Sequence, residues 1–178
     1  MIKNDLINGM RLNSRTVSIM GVLIASEIVL SRFASISAWN IRIGFGFVPL
    51  IIAAMLLGPI KAGIVGALSD ILGATLFPMG VYFPGFTLTA FCTGIVYGIF
   101  LYKKRSLLRI VVAVGINQLI LSLMVNTLWI SILYGSPYGT LFMTRIIQCA
   151  ILIPVQIVVI SSISKTAILK TAVPAYKC

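Results

Sequence analysis

Six apolar stretches, at roughly 17–36, 45–57, 60–77, 86–102, 110–134 and 141–163, follow one another with short polar or Gly-Pro breaks between them. An α-helix needs about 20 apolar residues to cross a hydrocarbon layer about 30 Å thick. Inside lipid every backbone N–H and C=O must be satisfied within the protein, so runs of this kind fold as helices. The expected fold is an all-α integral membrane protein, a single membrane domain over 1–178 with six transmembrane helices. Only 10% of the residues are charged, against about a quarter in soluble domains, which excludes an ordinary soluble fold. The second stretch has about thirteen residues and is short for a span unless its ends are irregular or the bilayer thins. Lys3, Arg11 and Arg15 before the first stretch look like the flank of a signal peptide. That stretch is too long for a signal core and has no clear small-residue cleavage site, so it is read as a retained span.

The net charge of +11 raises the question of a nucleic-acid partner. The basic residues sit at the ends of apolar runs and form no continuous patch, so membrane lipids are the expected neighbours and nucleic acid is not. Six spans put both termini on one side. Lys3, Arg11, Arg15, Lys61, the basic run from Lys103 to Arg109 and the tail lysines Lys165, Lys170 and Lys177 share that side, which the positive-inside rule makes cytoplasmic. Arg32, Arg42 and Arg145 depart from the rule. Basic groups kept on the outer side point to a ligand rather than to topology.

Asp70 interrupts the third stretch about ten residues in, roughly 15 Å along a helix and so near the midplane. A carboxylate there costs about 2.5–3.5 kcal/mol on insertion scales and needs a partner. Gly63, Gly66, Ala67, Asp70, Gly73 and Ala74 recur at spacings of three and four, which gives one small-residue face and turns Asp70 into the protein. Two readings follow: an acid bonded to a neighbouring helix, or a ligand or relay group. Glu27 in the first span lies about 200° around the helix from Ala25 and has the same two readings. The acids are only Asp5, Glu27 and Asp70, and there is no histidine, so few acid–base or nucleophilic chemistries remain and no catalytic residue is assigned. Cys92, Cys149 and Cys178 have no metal or redox spacing and read as packing residues; no metal and no cofactor is expected. No GxxxxGK[ST] pattern occurs, so uphill movement of a solute would draw its energy from elsewhere.

The outer half of the chain collects Arg32, Trp39, Asn40, Arg42, Tyr82, Phe83 and Arg145, with Asp70 below them. Ala34 to Gly46 is expected as a polar, aromatic loop, and PMGVYFPG as a stiff one held by prolines near both ends. Guanidinium groups fork onto carboxylates and flat rings stack on flat heterocycles, while a deep acid suits adjacent N–H donors. The set fits a ligand with an anionic end and a planar, donor-bearing ring. The competing reading is an interfacial aromatic belt with arginines reaching for headgroups. Asn117 and Asn126 in the fifth span either bond across helices or meet the ligand. In the first span Gly21 and Ala25 make a small-xxx-small step, open to a partner helix or to packing within the bundle.

SRFASI at the end of the first span, followed by GPIKAGIVGALSDILGATLFPMGVYFPGFTLTA, resembles the folate-specific substrate-binding subunits (S components) of energy-coupling factor transporters. The resemblance covers nearly the whole chain. It implies a vitamin-binding subunit in a prokaryotic cell membrane that docks on one transmembrane coupling protein and two ATPases, and that topples within the membrane to release its vitamin inward. It also implies that an Ala-xxx-Ala step of the first helix meets the coupling protein; here that step reads Gly21 to Ala25. On this reading folate places its pterin ring between Trp39, Tyr82 and Phe83, with Asp70 accepting ring N–H groups. Arg32, Arg42 or Arg145 then holds the glutamate carboxylates. Related subunits take other flat or anionic vitamins, which remains an alternative. A membrane-embedded lipid enzyme would call for clustered acids or histidines, and a lone channel for a polar ring, neither of which the sequence offers.

Overall fold

The computed structural model describes residues 13–33, 35–38, 41–78, 80–102, 106–135 and 138–165. Helix α1 is Ser14–Arg32 and is followed by a two-stranded hairpin, β1 Ser35–Ala38 and β2 Ile41–Gly44. Then come α2 Phe47–Leu57, α3 Pro59–Leu76 and α4 Pro84–Leu101. A continuous rod over 107–134 consists of α5 Leu107–Gly115, a π-helical segment Ile116–Val125 and α6 Asn126–Tyr134; α7 is Tyr138–Lys165. Among the described residues five helical spans are long and apolar enough to cross a membrane, and Phe47–Leu57 is a shorter apolar helix. The bundle is that of an all-α, multi-pass membrane protein.

Two expectations change. The first helix ends at Arg32 rather than near residue 36, and the polar loop contains an antiparallel ladder with Ser35 opposite Gly44 and Ser37 opposite Arg42. The period-two placing of Ile41 and Ile43, with Ile36 across the turn, is a strand signal that a search for helical spans passes over. The fifth span is not uniformly α-helical, and no residue in Ile116–Val125 announces the π geometry. Such segments carry i→i+5 bonds and concentrate at functional positions.

The short α2 is the centre of the bundle. Leu50, Ile51, Ala53, Ala54, Met55 and Leu57 are all buried, so the helix is apolar around its whole circumference. It packs against α1, α3 and α4. At about 16 Å it is too short to span, and it has no need to, because protein rather than lipid surrounds it. Its ends are irregular: the hairpin stands before it, and Gly58 follows with φ +87, a left-handed turn under the Tyr102 ring. Pro59 then opens α3, where its missing N–H is not needed.

Helices α3 and α4 touch backbone to backbone. A Cβ on Gly66 would lie 2.7 Å from the Ala90 carbonyl oxygen, and one on Gly94 would collide with the carbonyl of Ala62. Lipid tails are as apolar as leucine, so close approach, and not escape from water, holds such helices together. Leu68, Ile71, Leu72 and Leu76 of α3 are exposed on the side away from the glycines, as a lipid-facing stripe should be. Asp70 therefore faces the interior.

Candidate functional site

A cavity of about 310 Å³ opens between α1, the end of the hairpin, α2 and α3. Its polar lining comes from Glu27, Ser31 and Arg32 of α1 and from Ser69 and Asp70 of α3. Gly44, Gly46 and Phe47 close it on the hairpin side, and Gly66 and Ala90 floor it where α3 meets α4. The volume falls at the lower end of the range of about 300–1,000 Å³ for small-molecule sites.

The local sequence explains how each polar group arrives there. Arg32 is the last residue of α1, and its guanidinium lies along α3 over Gly73: a Cβ on that glycine would sit 3.2 Å from Nε. The small face of α3 thus makes room for an arginine as well as for α4. Asp70 Oδ2 accepts from Thr87 Oγ1 at 2.7 Å. The Tyr82 hydroxyl is 3.0 Å from the same Thr87 oxygen. Since Thr87 has one hydrogen and gives it to Asp70, Tyr82 is the donor to Thr87, and the three form a directed chain. On the α1 side Ser69 Oγ lies 2.9 Å from Glu27 Oε2. Arg32, Glu27 and Asp70 face one cavity and make no ion pair with one another among the described residues.

Of the residues singled out by sequence, the structure brings Arg32 and Asp70 to this cavity and links Tyr82 to it through Thr87. Trp39 and Asn40 lie outside the described residues. Arg42 belongs to β2, two residues before the cavity-lining Gly44, and its side chain is likewise outside them. Phe83 turns elsewhere: its ring packs on Trp129 of α6 at 5.4 Å and edge-on to Phe86 at 6.1 Å. Arg145 of α7 donates from Nη1 to the Ser122 carbonyl oxygen of the π segment at 3.3 Å and does not line this cavity. Asn117 is buried beside Tyr97, whose hydroxyl donates to Gln156 Oε1 at 3.2 Å. Both polar atoms of the Asn117 side chain lack a hydrogen-bond partner among the described residues. Gly21 and Ala25 are exposed on the outer face of α1, and a Cβ on Gly21 would meet nothing within 4 Å.

Sequence reasoning missed Ser69 and Thr87. Ser69 is adjacent to the one interior acid of α3, and Thr87 lies in the first turn of the next helix, so a search for donors within a turn of Asp70 and across the aromatic loop finds both. Among the described residues no group of three or more histidines, cysteines or acids could hold a metal ion, and Cys92 and Cys149 are free thiols.

Residues 15–164 match the family model for the ECF transporter, substrate-specific component. The chain is 49% identical over 142 residues to a protein named folate transporter FolT from Clostridium novyi, covering 79% of this chain and 83% of that one. It is 31% identical over 154 residues to a folate transporter FolT from Leuconostoc mesenteroides, covering 83% of each. A crystal structure of FolT bound with folic acid superposes with a TM-score of 0.80 at 35% identity, over 85% of this chain and 93% of the other.

Proposed function

The chain belongs to the ECF transporter family of substrate-specific components, and on that premise we propose that it is the folate-binding subunit of a vitamin importer in the cell membrane. It is a binding component of a transport system and not an enzyme. Three relatives carrying the name of folate transporter or bound to folic acid support the vitamin. The observation that carries the site is the meeting of Arg32 and Asp70, opposite in charge and not paired with each other, on one cavity.

Folate offers each of them a counterpart. The 2-amino group and N3–H of the pterin ring are adjacent donors that a carboxylate takes side by side, and Asp70 has lone pairs to spare beyond the one Thr87 occupies. Carboxylates of the glutamate tail suit a guanidinium, here Arg32 at the cavity rim and, by its place in β2, Arg42. Tyr82 contributes through Thr87, by fixing the orientation of Asp70. The basic flanks put the termini on the cytoplasmic side, so the cavity under the hairpin opens outward.

Titrating the purified protein in detergent with folic acid tests the site. Asp70→Asn is expected to weaken binding about 10- to 100-fold, the range for a lost hydrogen bond to a charged group; unchanged affinity removes Asp70 from it. Arg32→Ala should weaken folic acid more than pteroic acid, which lacks the glutamate, and equal losses contradict a carboxylate role. Competition by other flat or anionic vitamins at lower concentration than folic acid would change the vitamin while leaving the family.

Energy comes in trans, from a transmembrane coupling protein and two ATPases. The exposed Gly21 and Ala25, with Val17 and Val22 beside them, leave α1 a shallow surface for that protein. Gly21→Leu is expected to abolish co-purification with the coupling protein and folate uptake while isolated subunits still bind folic acid. Intact co-purification would place the contact elsewhere.

A further inference from the structure

Asp70 accepts its hydrogen bond from the start of a helix that no side chain caps. Thr87 lies in the first turn of α4, which Phe83 precedes and Pro84 opens. The first N–H groups of a helix have no partner within it, so an uncapped first turn takes its position from what packs against it. Thr87 and Thr89 stand two residues apart, about 200° around α4, and therefore on opposite sides. On one side Thr87 Oγ1 donates to Asp70 of α3 and receives the Tyr82 hydroxyl. On the other Thr89 Oγ1 donates to the Gly85 carbonyl oxygen at 2.9 Å and accepts from Nε1 of Trp129, in α6, at 3.2 Å. Each threonine spends its one hydrogen and takes one in return.

The indole makes more than one hydrogen bond's worth of contact. Its ring packs at 5.4 Å on Phe83, the residue between Tyr82 and Pro84. Gly85 permits this: a Cβ there would lie 2.7 Å from Cδ2 of Trp129 and closer still to the Phe83 ring, so only a bare backbone lets both rings close over the turn. Trp129 thus holds the start of α4 at Phe83, at Gly85 and at Thr89, while the far side of the same turn carries the hydroxyl that orients Asp70. Trp129 does not line the cavity itself. Resting on the folate reading, we infer that Trp129 is a positioning residue for the ligand site, acting through the first turn of α4 and Thr87 on the carboxylate of Asp70. A residue of the fifth rod therefore sets the aim of an acid on α3.

The test is a double-mutant cycle on the purified full chain, read as affinity for folic acid. Trp129→Leu removes both the ring stack and the N–H and should weaken binding about 10-fold; Thr87→Val, which takes away the donor to Asp70, should cost about the same. If Trp129 acts through Thr87, adding Trp129→Leu to Thr87→Val loses less than about 2-fold more. Trp129→Phe keeps a ring on Phe83 and should retain most of the parent affinity, losing about 2- to 3-fold. Should Trp129→Leu fail to give a monodisperse protein, Trp129→Phe goes through the same cycle, and its loss is expected to vanish in Thr87→Val. Losses that multiply in the double variant overturn the inference, because they place Trp129 on the ligand itself or on the bundle at large. Parent affinity in Trp129→Leu or in Thr87→Val overturns it too. The folate reading fails separately, if the wild-type protein does not bind folic acid.

Discussion

The two halves of the bundle are built on different rules. In the first half α3 and α4 are drawn together until backbones touch, with Gly66 on the carbonyl of Ala90 and Gly94 and Gly98 on Ala62 and Pro59. From α5 to α7 the glycines serve no such purpose: a Cβ on Gly115 or Gly139 would meet nothing within 4 Å. The same half contains the π segment and the buried polar atoms of Asn117, Asn126 and Thr127 that have no partner among the described residues. In lipid, close packing is the main source of association between apolar helices. The first half uses it to fix the walls of the cavity. The second half leaves hydrogen-bonding capacity unspent among the described residues.

Substitutions on either side can break or sharpen this contrast. The largest effect is expected at Gly94: Gly94→Val drives side-chain atoms into the backbone of Ala62 and Gly63 and should destabilise the protein by about 3 kcal/mol. Loss of the monodisperse peak in size-exclusion chromatography checks it. A Gly94→Val protein as stable as the parent would mean that α3 and α4 are not closely packed. In the other half Asn117→Leu should stabilise the protein by about 1–2 kcal/mol, read as a higher unfolding temperature without folate, since it removes two unsatisfied buried atoms. A fall in stability would show that Asn117 is satisfied after all, and a loss of folic acid binding would extend the ligand site toward α7.

Ser69→Ala comes next. Removing the hydroxyl that touches both Glu27 and Val65 should cost about 1 kcal/mol by the same thermal measurement. The smallest effect is expected for Gly115→Ala, which meets open space and reduces the freedom of the unfolded chain, for a gain of roughly 0.5–1 kcal/mol. If Gly115→Ala destabilised as Gly94→Val does, the two halves would no longer differ in kind.

Much of the site is legible along the chain and some is not. The face formed by Gly63, Gly66, Asp70 and Gly73 can be counted from helical periodicity, and it does point inward. What that counting leaves open is which side of Asp70 each neighbour takes: Thr87 comes from α4 and Glu27 stands at Ser69 on the α1 side. Three outer arginines are likewise visible as exceptions to the charge pattern, yet Arg32 reaches the cavity and Arg145 binds the carbonyl of Ser122. Phe83 is another such case, because its aromatic partner, Trp129, is 46 residues away and becomes a neighbour only when the fifth rod folds back against α4.

Period and composition alone determined that this chain crosses a membrane, where its helices start and stop to within a few residues, and that an acid lies inside it. These properties depend on spacing along one segment, and lipid enforces them one segment at a time. The central position of α2, the strands of the hairpin, the π segment and the meeting of Glu27, Arg32 and Asp70 were decided only in three dimensions. Each depends on contacts between distant segments, whose strength is set by backbone approach and by donors and acceptors finding one another, and neither is encoded in the hydropathy of any single stretch.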